Sequence, residues 1–93
     1  MTKDKILQVA YEMAVEKGFN ILTRDNVASG AGVAMGTVNH HWQSVSILRN
    51  AVMERVVVNE DLKLIAEGIA AGEAAAQAAP QELRLKALTS LAQ

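Results

Sequence analysis

Ninety-three residues, 51 % apolar but with only three aromatics, make one small domain or a domain with an appended arm, and leave one chain a thin core. The absence of cysteine excludes a disulfide framework, a thiolate zinc site and a cysteine nucleophile, and no apolar run approaches the roughly 20 residues that span a bilayer. A net charge of −1 argues against a protein that coats nucleic acid non-specifically, although residues 1–55 hold six Lys/Arg against five Asp/Glu while residues 56–93 hold three against five.

The spacing of Ile6, Val9, Ala10, Met13 and Ala14 predicts an amphipathic helix over residues 3–17. Its early charges, Lys3, Asp4 and Lys5, speak against a signal peptide, so a cytoplasmic protein without membrane contact is expected. Gly18 stands where a left-handed C-terminal cap belongs, after a cationic Lys17 that suits the helix dipole. Phe19 then folds back onto the core, and this first helix reads as a scaffold brace.

Residues 23–42, TRDNVASGAGVAMGTVNHHW, read as two short helices joined by a tight turn. Thr23 caps the first, over residues 24–29, with Val27 and Ala28 facing inward. Gly30-Ala31-Gly32 makes the reversal, and the second helix covers residues 34–41. Its outer face carries Met35, Thr37, Asn39 and His40. A small polar helix held at a fixed angle by its predecessor is the arrangement that enters a DNA major groove.

Ser44 is a credible N-cap for a fourth helix, on which Ile47, Leu48, Ala51, Val52 and Arg55 continue the period. The β-branched run Val56-Val57-Val58 weakens it, so it ends near Val58 or bends there. Asn59-Glu60-Asp61 looks like the start of a further helix over residues 60–78, with Leu62, Ile65, Ala66, Ile69 and Ala70 on one face. Gly68, Gly72 and Ala76 at four-residue spacing either let a second helix approach closely, within or between chains, or belong to an alanine-rich and partly frayed segment. Pro80 suits the first position of a last helix, where Leu83, Ala87, Leu88 and Leu91 form an apolar stripe.

If the helix at 34–41 lies in the groove, Asn39 can pair with adenine, Met35 can meet a thymine methyl, and Thr37 can reach base or phosphate. Thr23, Arg24, His40 and Arg49 suit phosphates, which position without reading sequence. Asn39 has the alternative of a local backbone hydrogen bond, and Thr37 that of an ordinary exposed position. Trp42 reads as core rather than as a base-stacking platform. Neighbouring His40 and His41 project about 100° apart and have no Cys or acidic partner at ligand spacing, so no metal is expected. Ser44 and Ser46 have no recognisable base or orienter, so no enzyme signature emerges, and no cofactor is expected.

The run from Ile6 to Leu48 resembles the N-terminal DNA-binding domain of the tetracycline-repressor (TetR) family. The matching pieces are ILQVAYEMAVEKGF, Thr23 with Val27-Ala28, AGVAMGTV, and His41-Trp42. The family usually has a small residue opening the recognition helix, Gly-Thr within it and an aromatic after it; here these are Ala34, Gly36-Thr37 and Trp42. Asn39 replaces the family's usual tyrosine. Val45 replaces a lysine that contacts phosphate, and Arg24 stands at a usually apolar position, where its charge would partly replace the lost one.

The resemblance implies an all-α chain. A three-helix helix-turn-helix DNA-binding domain at 1–48 would be followed at 49–93 by two or three helices that dimerise. DNA contacts would come from Thr23, Arg24, Ala34, Met35, Thr37, Asn39, His40 and Arg49. Family members carry a long C-terminal domain that binds a small molecule. The 45 residues after Leu48 are too few to enclose such a pocket, so no small-molecule inducer is expected. The expected function is a sequence-specific regulator, a repressor binding a palindromic operator in double-stranded DNA as a homodimer. The alternative is a protein-interaction module that reuses the scaffold without binding DNA.

Overall fold

A computed structural model describes residues 2–91. Among them the chain forms seven α-helices, one 3-10 turn and no strand. The order is α1 (Thr2–Lys17), the 3-10 turn (Phe19–Ile21), α2 (Arg24–Ala31), α3 (Met35–His41), α4 (Val45–Val58), α5 (Leu62–Ala70), α6 (Ala74–Gln77) and α7 (Gln81–Leu91). The all-α architecture with C-terminal helices is as expected. Two compact units result, Met1–Val52 and Met53–Gln93, the division falling within α4. Residues 92 and 93 and the side chain of Leu91, the last position of the expected apolar stripe, lie outside the described residues.

In the first unit, α1 packs against the 3-10 turn, α2 and α3. The 3.6-residue period explains this: Ile6, Ala10 and Ala14 recur every four residues and are wholly buried. Gly18 ends α1, its N–H donating to the Ala14 carbonyl at 2.8 Å. Its backbone, at φ 94 and ψ 159, is not the left-handed cap expected but a region that is essentially glycine-only. Phe19 and Leu22 follow into the core, and each such side chain contributes roughly 1.5–3 kcal/mol by burial.

Thr23 caps α2 as expected, its Oγ1 accepting from the Asn26 N–H at 3.2 Å. Asn26 also donates through Nδ2 to the Ile21 carbonyl at 2.9 Å, which ties α2 to the 3-10 turn. Gly30 and Ala31 belong to α2 rather than to the turn, a correction with a packing cause. A Cβ at Gly30 would stand 2.8 Å from Met13 Sδ and 3.3 Å from Val9 Cγ1, so the missing side chain lets α1 and α2 close. Gly32 alone is left-handed (φ 68); the Val33 N–H donates to the Ala28 carbonyl and the Gly32 N–H to that of Ser29, closing a Schellman end.

The second unit departs further from expectation. The helix expected over 60–78 is two. Asp61, not Asn59, caps α5, its Oδ1 accepting from the Leu64 N–H at 3.3 Å. Asn59 and Glu60 instead finish α4, which runs through its β-branched end to Val58. Glu60 takes the left-handed position (φ 54) of a Schellman end in which the Asp61 N–H donates to the Val56 carbonyl.

α5 ends at Ala70 in the same motif, with Gly72 at φ 77 and the Glu73 N–H donating to the Gly68 carbonyl at 2.8 Å. The single turn of α6 follows. Pro80 is the N-cap of α7 and not its first residue, its carbonyl accepting from the Arg84 N–H at 3.0 Å. α5 packs on α6 and α7, burying Leu64, Ile65, Ala66, Ala76, Leu83 and Ala87. Leu88, expected in the α7 stripe, is exposed, as is Leu85.

Candidate nucleic-acid interface

The candidate surface is built on α3, seven residues long and held by little. Its N-cap, Ala34, has no side chain to offer; only the Ala34 carbonyl, accepting from the Thr37 and Val38 N–H groups, starts the helix. Its end is closed by the Trp42 N–H, which donates to the Val38 carbonyl at 2.7 Å. Val38 is the one fully buried side chain within α3, and Trp42, 8 % exposed, is core as expected. These two anchors set the rotation of the helix about its axis.

That rotation decides what faces outward. With 3.6 residues per turn, Met35, Gly36, Asn39 and His40 occupy an arc of about 140° on the side away from Val38. All four are exposed, as is Ala34. Gly36 and Asn39 lie at the middle of the arc, and Met35 and His40 at its edges. Thr37, expected on this face, is half-buried on its flank, where a hydroxyl is better placed for a backbone phosphate than for a base edge. His40 and His41 meet edge to face, with ring centroids 5.0 Å apart. Among the described residues no group of three His, Asp or Glu is gathered to hold a metal ion.

The remaining expected residues are dispersed. Thr23 and Arg24 are exposed at the start of α2, with the Thr23 hydroxyl already engaged as the helix cap. Arg49 is half-buried, its guanidinium carbon 4.9 Å from the Phe19 ring centroid. This cation–π contact turns Arg49 along the core instead of outward.

Two further residues belong to this surface. Gly36 is exposed at the centre of the outward arc, and a Cβ built on it would meet nothing within 4 Å. The signal for it was present in the sequence as a glycine inside a short helix, where alanine is the better helix former. The other is Lys3, at the start of α1, whose Nζ stands 4.8 Å from the Trp42 ring centroid. No local pattern could have revealed it, because the contact joins residues far apart in the chain.

Residues 6–52, more than half of the chain, match the family model described as bacterial regulatory proteins, tetR family. The span starts at the first buried residue of α1 and includes all of α2 and α3. No curated protein and no solved structure matches the chain. No helix among the described residues is long and apolar enough to cross a membrane.

Proposed function

Because the chain belongs to the bacterial TetR family of regulatory proteins, which are DNA-binding transcription regulators, we propose that it represses transcription by seating α3 in the major groove of a specific operator. The observation that carries this is the exposed arc of Met35, Gly36, Asn39 and His40, held outward by Val38 and Trp42. Asn39 pairs with an adenine edge through its amide, and Met35 packs on a thymine methyl. Ala34 keeps the entry of the helix free of bulk. Thr37, Thr23, Arg24 and His40 meet phosphates. Arg49 joins them only by leaving the Phe19 ring.

In this reading residues 1–48 read DNA and residues 49–93 join two copies. Support for the second part comes from α7: once Leu83 and Ala87 are buried, Leu85 and Leu88 remain 56 % and 46 % exposed. A homodimer covers them, and its two-fold axis spaces two α3 helices about 34 Å apart, which calls for a palindromic site. The protein works in the cytoplasm as a regulator and not an enzyme.

Footprinting on DNA flanking its own gene tests the reading. The expected result is one protected, near-palindromic site bound by a dimer in light scattering, with affinity falling steeply as salt rises. Absence of any specific site, at low as well as moderate salt, would leave the interaction-module alternative, which the uncharged Val45 favours. Within a positive result, Asn39→Ala is expected to weaken operator binding by about 1–3 kcal/mol and to relax the preference at one base pair. An unchanged affinity removes Asn39 from the base-reading set.

A further inference from the structure

We propose that Lys3 supplies the DNA phosphate contact for which position 45 carries no charge; this deepens, and rests on, the operator-binding reading above. The argument starts from where the ammonium is held. Lys3 Nζ lies 4.8 Å from the Trp42 ring centroid. Trp42 is buried and closes α3 through its N–H bond to Val38, so its ring is a fixed platform at the C-terminal end of the recognition helix. Ser44 then caps α4, its Oγ accepting from the Ile47 N–H at 3.1 Å, and Val45 is the first residue of that helix. The cation therefore sits over a residue three positions before the one where the resemblance places a phosphate-binding lysine.

The chemistry of the contact leaves the charge available. A ring attracts an ammonium through its quadrupole without neutralising it, whereas a carboxylate partner would cancel it. Lys3 is exposed, so N–H groups directed away from the ring remain open to an incoming phosphate oxygen. The end of α3 adds to this, because a helix C-terminus favours a nearby cation. Arg49 shows the contrast: its guanidinium also lies over a ring, that of Phe19, but it is half-buried. Of the two ring-held cations, Lys3 is the one that solvent and a phosphate can reach. Such a contact positions the protein on the duplex and reads no base.

The test is the salt dependence of binding by the full chain to its footprinted operator and to unrelated duplex DNA, from about 50 to about 200 mM salt. Each phosphate contact contributes about 0.9 to the slope of log affinity against log salt, so Lys3→Gln is expected to flatten the slope by about 1.8 in a dimer. That makes the variant's loss of affinity across this range roughly tenfold smaller than the wild type's. The flattening appears on both DNAs. Lys3→Arg keeps the wild-type slope, and Lys5→Gln, about 200° around α1 from Lys3, leaves it unchanged. Adding Val45→Lys to Lys3→Gln restores the slope.

A Lys3→Gln chain with a lowered Tm and an unaltered slope makes Lys3 a fold clamp and overturns the proposal, while the operator-binding reading stands. A change confined to the ratio of operator to unrelated DNA, with the slope kept, also overturns it, because Lys3 would then act by misplacing α3. If the wild-type chain finds no specific site, the operator-binding reading itself falls.

Discussion

A Gly68→Ala chain is expected to be less stable by about 1–2 kcal/mol, although alanine is the better helix former by about 1 kcal/mol at an interior position such as this one in α5. The reversal comes from the space around the glycine. An added Cβ would lie 2.5 Å from Met53 Cε, 2.8 Å from Met53 Sδ and 2.9 Å from Ala76 Cβ. Methionine is flexible and can swing its end away, though Met53 is fully buried and needs somewhere to go. The Ala76 Cβ cannot swing; it is fixed to the backbone of α6, so α6 must move off α5. Overpacking costs about 1–3 kcal/mol, and three approaches under 3.0 Å place this one in the upper part of that range, about 2–3, from which the helix gain of about 1 kcal/mol is subtracted.

Denaturant unfolding measures the loss, and in a domain of this size each kcal/mol corresponds to about 4–8 °C in Tm. Ala76→Gly in the Gly68→Ala background is expected to recover part of it. A Gly68→Ala chain as stable as wild type would show that α6 floats on α5, and the account of Gly68 as a close-packing position would fail.

Gly68 also shows where sequence reasoning stops. Residues 66–79 are alanine-biased, and the local mark of the break after Ala70, Gly72, is matched by an equally plausible glycine at Gly68 that does not stop the helix. Small residues four apart were visible, but not their separate uses: Gly68 faces Met53 and Ala76, Gly72 turns left-handed, and Ala76 lies on another helix. Asn59, Glu60 and Asp61 all suit a helix boundary, and the choice of Asp61 as cap depends on α4 ending in a Schellman turn at Glu60. By contrast, the α1 stripe and the Thr23 and Ser44 caps rest on spacing and short-range hydrogen bonds, which the chain order displays directly.

The candidate site divides in the same way. Met35, Asn39 and His40 follow from the helical period once Val38 is taken as the inward residue. Thr37 and Arg49 do not, because their exposure depends on neighbours: Arg49 lies over Phe19, thirty positions earlier in the chain. Lys3 and Trp42 are farther apart still, and only the packing of α1 beside α3 brings them together.

Gly36 is expected to respond to alanine with the opposite sign of stability and with a loss of function. α3 has seven residues and no side-chain cap, so a glycine in its first turn is a burden on a helix that is already marginal. Nothing inside the chain repays it, since a Cβ there meets no atom within 4 Å. Gly36→Ala should therefore raise stability by about 0.5–1 kcal/mol, and Gly36→Leu by a similar amount, because both residues favour helix over glycine. Yet the position lies at the centre of the outward arc, next to Asn39. In the proposed operator complex, a glycine there would let the helix backbone approach the groove wall more closely than any side chain permits.

One methyl is expected to weaken operator binding about tenfold, and the four carbons of leucine about 100-fold or more, close to 3 kcal/mol. The measurement is a pair of curves on the same preparations, thermal unfolding and operator titration, moving in opposite directions. Protein stability gained while operator affinity is lost separates this glycine from Gly68, where alanine harms the fold itself. If Gly36→Leu bound the operator as tightly as wild type, the arc of Met35, Gly36, Asn39 and His40 would not face the groove. Asn39 would then lose its claim to a base along with Gly36, because the same rotation of α3 about Val38 sets both.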